Sequence, residues 1–202
     1  MALGDPYASL ADLKARLNIP AADTDHDAEL EDKLKGASRE VEAFCGRQFN
    51  NAGSASPRLY YPESPWLVEV DDFHTTTSLT VKTGVDGSFD TTWSAADYEL
   101  EPLNGIVEGQ TGWPYWQIKA VGGRTFPCGR RATVEITAVW GWAAVPDPIK
   151  DATLIIASES FKLREAPFGV AGFGEFGVVR ITTNQVAMRK LAPYVKDAVK
   201  VG

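Results

Sequence analysis

The sequence predicts an α+β fold, in which the two ends of the chain form a small helical bundle and an antiparallel β sandwich or barrel-like module is inserted between them. Apolar residues recur every three to four positions near the start, alternate with polar residues in the middle, and return to helical spacing after Asp147. These blocks predict a helical core of residues 1–56 and 143–202 and a β module of residues 57–142.

Composition limits the classes of function. A chain of 202 residues with 44% hydrophobic residues is large enough for one sizeable core or for two smaller ones. The net charge of -7 argues against duplex binding, because cationic side chains supply most of that affinity. Two cysteines provide no disulfide framework and fit synthesis in a reducing cytoplasm. Neither an export signal nor a membrane span is predicted.

The N-terminal block predicts two helices. Ser9 and Asp12 form the pattern of a capping box, and the helix that follows ends before Pro20. Thr24 and Asp27 repeat this pattern before a longer helix. The apolar face of the longer helix consists of Leu30, Leu34, Ala37, Val41 and Phe44.

The middle block predicts half-buried strands, because its apolar and polar residues alternate. Asp86 and Gly87 indicate a hairpin turn, since both residues tolerate positive φ. The strands are expected around Trp66–Val70, Leu79–Val81, Tyr98–Leu100, Trp116–Ala120 and, as the longest, Val134–Trp140.

The C-terminal block returns to helix, with Asp147 as cap and Pro148 at the first helical position. A strand is predicted at Val178–Thr182, and a last helix from about Asn184 is interrupted near Pro193. The first helix of this block has a broad apolar face that includes Ile155, and we expect it to pack on the long N-terminal helix through Ile149, Ala152, Ile156 and Leu163.

Two motifs that suggest ligands stand in the wrong context. The G-x-G-x-x-G of residues 172–177 follows a helix and precedes a strand, whereas a dinucleotide site needs the reverse order. The acidic run Asp23–Asp27 resembles the opening of a calcium loop, but Ala28 and Leu34 stand where such a loop needs Gly and Glu. No cofactor or metal is therefore predicted.

No catalytic constellation is predicted either, and the chain is not expected to be an enzyme. His26 and His74 have no Cys, His or carboxylate at the spacing of a metal site. No serine lies in a nucleophile elbow. Asp71 and Asp72 are expected to point to opposite faces of a strand.

Aromatic residues crowd the β block, and most of them fall on the apolar phase of a strand, which favours a place in the core. Trp113 and Trp142 are the exceptions. The alternative function is a carbohydrate-binding or tail-associated module, with an exposed stacking surface of Trp113, Tyr115, Trp116 and Trp142.

Four segments of the chain together form a recognisable pattern: Tyr7–Leu17, Asp25–Phe49, Val139–Ala152 and Phe161–Gly177. The most specific part of this pattern is the combination of Gly141-Trp142 before Pro146 with the loop Arg164–Gly177. In these segments the chain resembles the head-to-tail connector (head-completion adaptor) proteins of long-tailed bacteriophages.

The resemblance implies a structural virion protein of the neck, at the head-tail junction, made in the cytoplasm of the bacterial host. It implies a ring of twelve copies that binds the portal protein on one side and a tail terminator or stopper protein on the other. Genomic DNA would pass through the channel of this ring without specific binding. The resemblance implies no catalytic residue.

The loop of residues 168–177 is the predicted interface. Its glycines raise the entropy of the free chain, while its phenylalanines are costly to leave in water. We therefore expect the loop to order against a neighbouring copy or the portal, unless its rings pack on its own subunit. The candidate interface residues are Arg164, Phe168, Phe173, Phe176 and Arg180.

Overall fold

A computed structural model describes residues 4–162 and 184–196 of the chain. The described residues form two compact units, one of residues 50–144 and the other of residues 4–49, 145–162 and 184–196. Every described α-helix lies in the second unit and every strand in the first. The predicted α+β class, with helices and an inserted antiparallel β module, is confirmed.

The helical unit contains four α-helices among its described residues. Helix α2 packs on α3, and both α1 and α4 contact α3, so α3 is the central helix. A 3-10 turn, Ala192–Tyr194, follows the last helix and contains the predicted interruption at Pro193. The helices are α1 (Leu10–Leu17), α2 (Asp27–Cys45), α3 (Asp147–Lys162) and α4 (Gln185–Leu191).

The two N-terminal helices begin differently. Ser9 and Asp12 form the predicted capping box at the start of α1. The predicted second capping box is wrong, because His26 occupies the cap of α2 and its side chain caps no amide. Asp27 instead forms an ion pair with the buried Lys14, which draws its carboxylate toward α1. A tertiary ion pair therefore replaces the local cap that the spacing from Thr24 predicted.

The pairing of the two long helical faces is confirmed for the described residues. Val41 of α2 and Ile156 of α3 are fully or almost fully buried, as expected for facing core positions. Phe44 is only half-buried, because the buried face of α2 continues to Cys45 instead. Leu163, which was assigned to the same core, lies outside the described residues.

The β unit contains an antiparallel sheet of seven strands, in the order β4-β3-β9-β2-β8-β5, and β1 also pairs with β9. Strands β6 and β7 form a separate hairpin. The strands are β1 (Asn51–Tyr60), β2 (Leu67–Phe73), β3 (Thr80–Thr83), β4 (Thr91–Thr92), β5 (Tyr98–Glu101), β6 (Ile106–Val107), β7 (Gln110–Thr111), β8 (Tyr115–Ala120) and β9 (Val134–Gly141).

Two predictions for the β block are corrected. The longest strand is β1, with 10 residues, and β9 has 8. Strand β1 begins at Asn51, in sequence that carries no apolar alternation, so it was not predicted. The hairpin between β3 and β4 exists, but Gly87 takes positive φ (88°) and Asp86 does not, because the loop is longer than two residues.

The sheet curls around its own core. Tyr60 and Arg58 on β1 both bond to the carboxylate of Asp71 on β2, although these two strands share no backbone ladder. Trp140 lies inside the curl, where its ring packs edge-on against Phe73 at 6.2 Å. The remaining core side chains include Val68, Val81, Trp93, Ile118, Phe126, Val134 and Ile136.

Candidate assembly interface

The five predicted interface residues, Arg164, Phe168, Phe173, Phe176 and Arg180, lie outside the described residues, as do the predicted strand and the glycine motif near them. The chain on either side of them is described. Helix α3 is described up to Lys162, and the next described residue is Asn184.

The two sides of the predicted loop are joined. The side-chain amide of Asn184 donates a hydrogen bond to the carboxylate of Glu159 on α3. Its carbonyl oxygen accepts from the backbone amides of Val186 and Ala187, at 3.0 and 2.9 Å, and so caps α4. One asparagine therefore starts α4 and fixes that start next to the last turns of α3.

A surface ion cluster ties three helices together. The carboxylate of Asp151 on α3 accepts from Lys190 on α4 at 2.9 Å and from Arg16 on α1 at 2.8 Å. These two partners, Lys190 first, lower the pKa of Asp151. The side chain of Asp151 is 39% exposed, so solvent screens the cluster and its contribution to stability is small.

Tyr7 fixes the segment that precedes α1. Its backbone amide donates to the hydroxyl of Ser38 at 3.0 Å, and its phenolic oxygen accepts from the backbone amide of Phe49 at 3.0 Å. The same phenol donates to the carboxylate of Glu42. Burial is the main reason that the pKa of Tyr7 is raised. The sequence contains no local signal for this network, since each partner of Tyr7 is more than 30 positions away from it.

The acidic segment, defined as residues 23–32, holds six carboxylates and no lysine or arginine. The Asp23 carboxylate accepts from the backbone amide of Asp25 at 3.1 Å, and Asp27 is paired with Lys14. Within residues 4–162 and 184–196, no three His, Cys, Asp or Glu side chains are grouped as a metal site requires. The acidic segment can therefore attract a cationic surface electrostatically.

The tryptophans do not form the stacking surface that the carbohydrate alternative required. Trp113 and Trp142 are 8% and 4% exposed, with ring centroids 5.1 Å apart. Trp142 also donates through Nε1 to the buried carboxylate of Asp72 at 2.9 Å. Asp71, next to it, is exposed, so the predicted alternation of this acidic pair is confirmed. Trp66, which was assigned to the core, is instead 58% exposed.

The β tip is the end of the β unit formed by the loops 61–66, 84–90 and 121–133. Hydrogen bonds tie the three loops together, from Gly84 to the Thr133 carbonyl at 3.0 Å and from Phe126 to the Pro65 carbonyl at 2.8 Å. The large apolar side chains exposed on this tip are Tyr61, Trp66 and Val85.

The two cysteines differ in accessibility. Cys45 is fully buried, and burial raises the pKa of its thiol to about 12, so it is not a nucleophile at neutral pH. Cys128 is exposed on the β tip. Both thiols are free.

Histidine has a structural role in the β unit. His74 lies 3.2 Å from the Gly141 carbonyl through Nδ1 and 3.4 Å from the Asn51 side-chain amide through Nε2. A carbonyl only accepts, so Nδ1 carries the proton. The ring thus joins the start of β1 to the end of β9.

No described helix is both long and apolar enough to cross a membrane.

These features define a class, an α+β protein of two units that exposes charged and aromatic surface. Residues 7–72 match the family described as "Phage gp6-like head-tail connector protein". This match covers the N-terminal third of the chain and confirms the predicted resemblance to that family. No curated protein matches the chain significantly.

Solved structures share the fold over the whole length. A chain of "Neck of native GTA particle computed with C12 symmetry" aligns with 100% of this chain and 99% of its own length, at a TM-score of 0.56 and 18% identity. A chain of "Neck of empty GTA particle computed with C6 symmetry" aligns with 97% of this chain and 93% of its own length, at a TM-score of 0.58 and 20% identity. A chain of "Virion of native gene transfer agent (GTA) particle" aligns with 97% of this chain and 93% of its own length, at a TM-score of 0.57 and 19% identity. At these identities the likeness concerns the fold.

Proposed function

We propose that the chain is a structural virion protein, the head-to-tail adaptor that forms a ring between the portal and the tail or stopper proteins. The observation that carries this proposal is that both units together, and not the helical unit alone, have the fold of a chain from a virus-like neck. The family match over residues 7–72 supports the same function independently of the fold.

The ring consists of twelve copies in the neck, by analogy with the twelvefold symmetry of the similar neck. Its partners are the portal protein and a tail terminator or stopper protein, and the chain performs no catalysis. DNA passes through the channel without being gripped, which the net charge of -7 favours because an acidic wall repels phosphates.

Native mass spectrometry with the purified portal tests this function. Twelve chains should bind one portal ring, while the chain alone should be monomeric or weakly associating. A tight dimer of the isolated chain, or a portal that stays bare at micromolar adaptor concentration, contradicts the proposal. The chain should not bind to a glycan array, since Trp113 and Trp142 are buried.

The contact surface of this ring includes the segment with Arg164, Phe168, Phe173, Phe176 and Arg180. Its support is the clamp of Asn184 on Glu159, which places the start of α4 beside α3 and so holds both sides of the segment at one place on the helical unit. Three phenylalanines presented from a fixed base gain by burial in a partner.

Limited proteolysis separates this interface from a loop packed on its own subunit. Cleavage within residues 163–183 should be fast in the free chain and slow in the chain bound to the portal. Equal resistance in both states contradicts the interface. A Phe173→Ala/Phe176→Ala variant should remain folded but lose portal-dependent protection, whereas a half-buried control, Lys150→Ala on α3, should keep it.

A further inference from the structure

The β tip has the composition of a binding surface. Tyr61, Trp66 and Val85 are 63%, 58% and 63% exposed, although each is large and apolar. Tyr61 and Val85 lie at one end of the sheet, because Tyr60 and Thr83 both pair with Val134 in the ladders. Trp66 is next to Pro65, whose carbonyl accepts from Phe126 in the loop that precedes Val134. Exposed aromatic side chains grouped in this way are typical of interfaces.

The tip also carries unpaired cations. No acidic residue occurs between Glu108 and Glu135, a stretch that contains Lys119, Arg124, Arg130 and Arg131. Lys119 and Arg124 are neutralised within the unit, by Glu101 at 2.7 Å and Asp97 at 3.3 Å.

Arg130 and Arg131 are exposed, and neither forms an ion pair within the described part of the chain. Asp86 and Asp90, on the adjoining loop, do not reach them. The tip therefore exposes arginine, tyrosine and tryptophan, and these residue types often dominate the binding energy of an interface.

The complementary surface is on the same chain. The acidic segment, residues 23–32, has six carboxylates and no cation, and is the densest acidic run in the sequence. Asp25, Glu31 and Asp32 are all exposed, and Asp32 lies 3.8 Å from the exposed Lys35. A cationic, aromatic surface and an anionic surface on one chain allow identical copies to associate head to tail, which is how rings of identical subunits are built.

We infer that the β tip of one copy docks on the acidic segment of a second copy. Arg130 and Arg131 bind the exposed carboxylates of the acidic segment, while the aromatic side chains of the tip cover the surface of α2 beside them. This contact specifies one interface of the proposed ring and so rests on the proposed function.

A disulfide trap tests the contact directly. The variant Glu31→Cys places a thiol in the acidic segment, and the native Cys128 supplies the other thiol on the tip. Cys45 is buried and does not compete. Mild oxidation should give a ladder of cross-linked chains on a non-reducing gel, with a 31–128 disulfide in the peptide map.

The matched control is Ala43→Cys, on an exposed position of the same helix about 18 Å further along. It should cross-link at least about tenfold more slowly, a rate ratio set by distance from the tip. Equal rates for the two variants, or a 31–128 disulfide within one chain, overturn the inference.

A charge exchange tests the same contact without oxidation. Arg130→Glu/Arg131→Glu and Glu31→Lys/Asp32→Lys should each weaken self-association on the order of tenfold, because like charges then face each other. An equimolar mixture of the two variants should restore association, since alternating copies pair opposite charges at every contact. Sedimentation velocity at low and high salt measures this, with Lys150→Glu as an unaffected control.

Three outcomes overturn the inference. The mixture fails to associate, or association does not respond to either variant, or the arginine pair retards duplex DNA while leaving association unchanged. The portal keeps this test separate from the proposed function. If the Arg130→Glu/Arg131→Glu chain still forms complete rings on the portal, the contact is wrong and the adaptor function stands. If the unmodified chain forms no ring there, the adaptor function fails whatever the cross-links show.

Discussion

Replacement of Gly141 by alanine should strongly destabilise the β unit. Gly141 ends β9 with φ of 90°, and a Cβ at this position would lie 1.7 Å from the carbonyl oxygen of Asn50. Relief of the clash to 3.0 Å requires a movement of at least 1.3 Å, from the difference 3.0 − 1.7. Backbone on both sides of this approach is hydrogen-bonded, so the movement breaks specific contacts.

The magnitude follows from three contributions. Positive φ costs an L-residue about 1–2 kcal/mol. The movement also breaks the bond from the Trp142 amide to the Asn50 carbonyl, 3.3 Å, and the bond from His74 to the Gly141 carbonyl, 3.2 Å. Each such bond contributes about 0.5–1.5 kcal/mol. The free energy of unfolding should therefore fall by about 2–5 kcal/mol.

Gly112→Ala is the matched control, because Gly112 has φ of 87° and nothing within 4 Å of its ideal Cβ. It should lose only the backbone contribution of about 1–2 kcal/mol. Urea unfolding followed by tryptophan fluorescence isolates the relevant unit, since all six tryptophans lie within residues 50–144. Equal losses in the two variants would show that the close approach to Asn50 contributes nothing, and would refute the reasoning.

Two further predictions concern the helical unit, and a third compares the two cysteines. Ile156→Ala should lower its free energy of unfolding by about 2–4 kcal/mol in urea, because Ile156 is 1% exposed and its removal leaves a cavity. Asp151→Asn should cost less than about 1 kcal/mol at pH 7, because its pair with Lys190 is partly exposed. Since the folded pKa of Asp151 is lowered, this difference should be lost as the pH falls through that pKa. A thiol reagent should modify Cys128 in the native protein but reach Cys45, whose pKa is about 12, only on unfolding.

Each of these predictions has a contrary result. Unchanged urea unfolding of Ile156→Ala would exclude the packing of α3 on α2. A difference between Asp151→Asn and the parent chain that grows as the pH falls from 5 to 3 would mean that the ion cluster does not lower the pKa. Rapid modification of both thiols in the folded chain would place Cys45 at the surface.

The helices were predictable because their signals are local. The capping box of Ser9 and the apolar spacing of α2 and α3 depend on residues three or four positions apart. The cap of α2 failed where the signal is not local, since Asp27 bonds to Lys14 across the gap between two helices. The spacing of residues along the sequence therefore could not predict Lys14 as the partner of Asp27.

The β unit was predictable only where one face is apolar. Strand β9 alternates buried and half-buried residues along its length, and its alternation was found. Strand β1 has a mostly polar sequence and pairs with β9 along one edge, so nothing in its composition separates it from a loop. The exposure of Trp66 was missed because it lies one residue before β2, outside the alternation.

The candidate interface was only partly accessible to sequence reasoning. The acidic segment and the arginines at 130 and 131 are visible in the sequence, but their separation into surfaces of one helix and one β tip depends on the sheet order. The joining of loops 61–66, 84–90 and 121–133 likewise requires tertiary hydrogen bonds.

Electron microscopy of the purified portal, imaged with and without this chain, tests the adaptor function most directly. If the chain is the adaptor, an added ring of twelve chains with an open central channel should appear on one face of the portal at stoichiometric concentrations. Portal particles that look the same with and without a molar excess of the folded chain would contradict it.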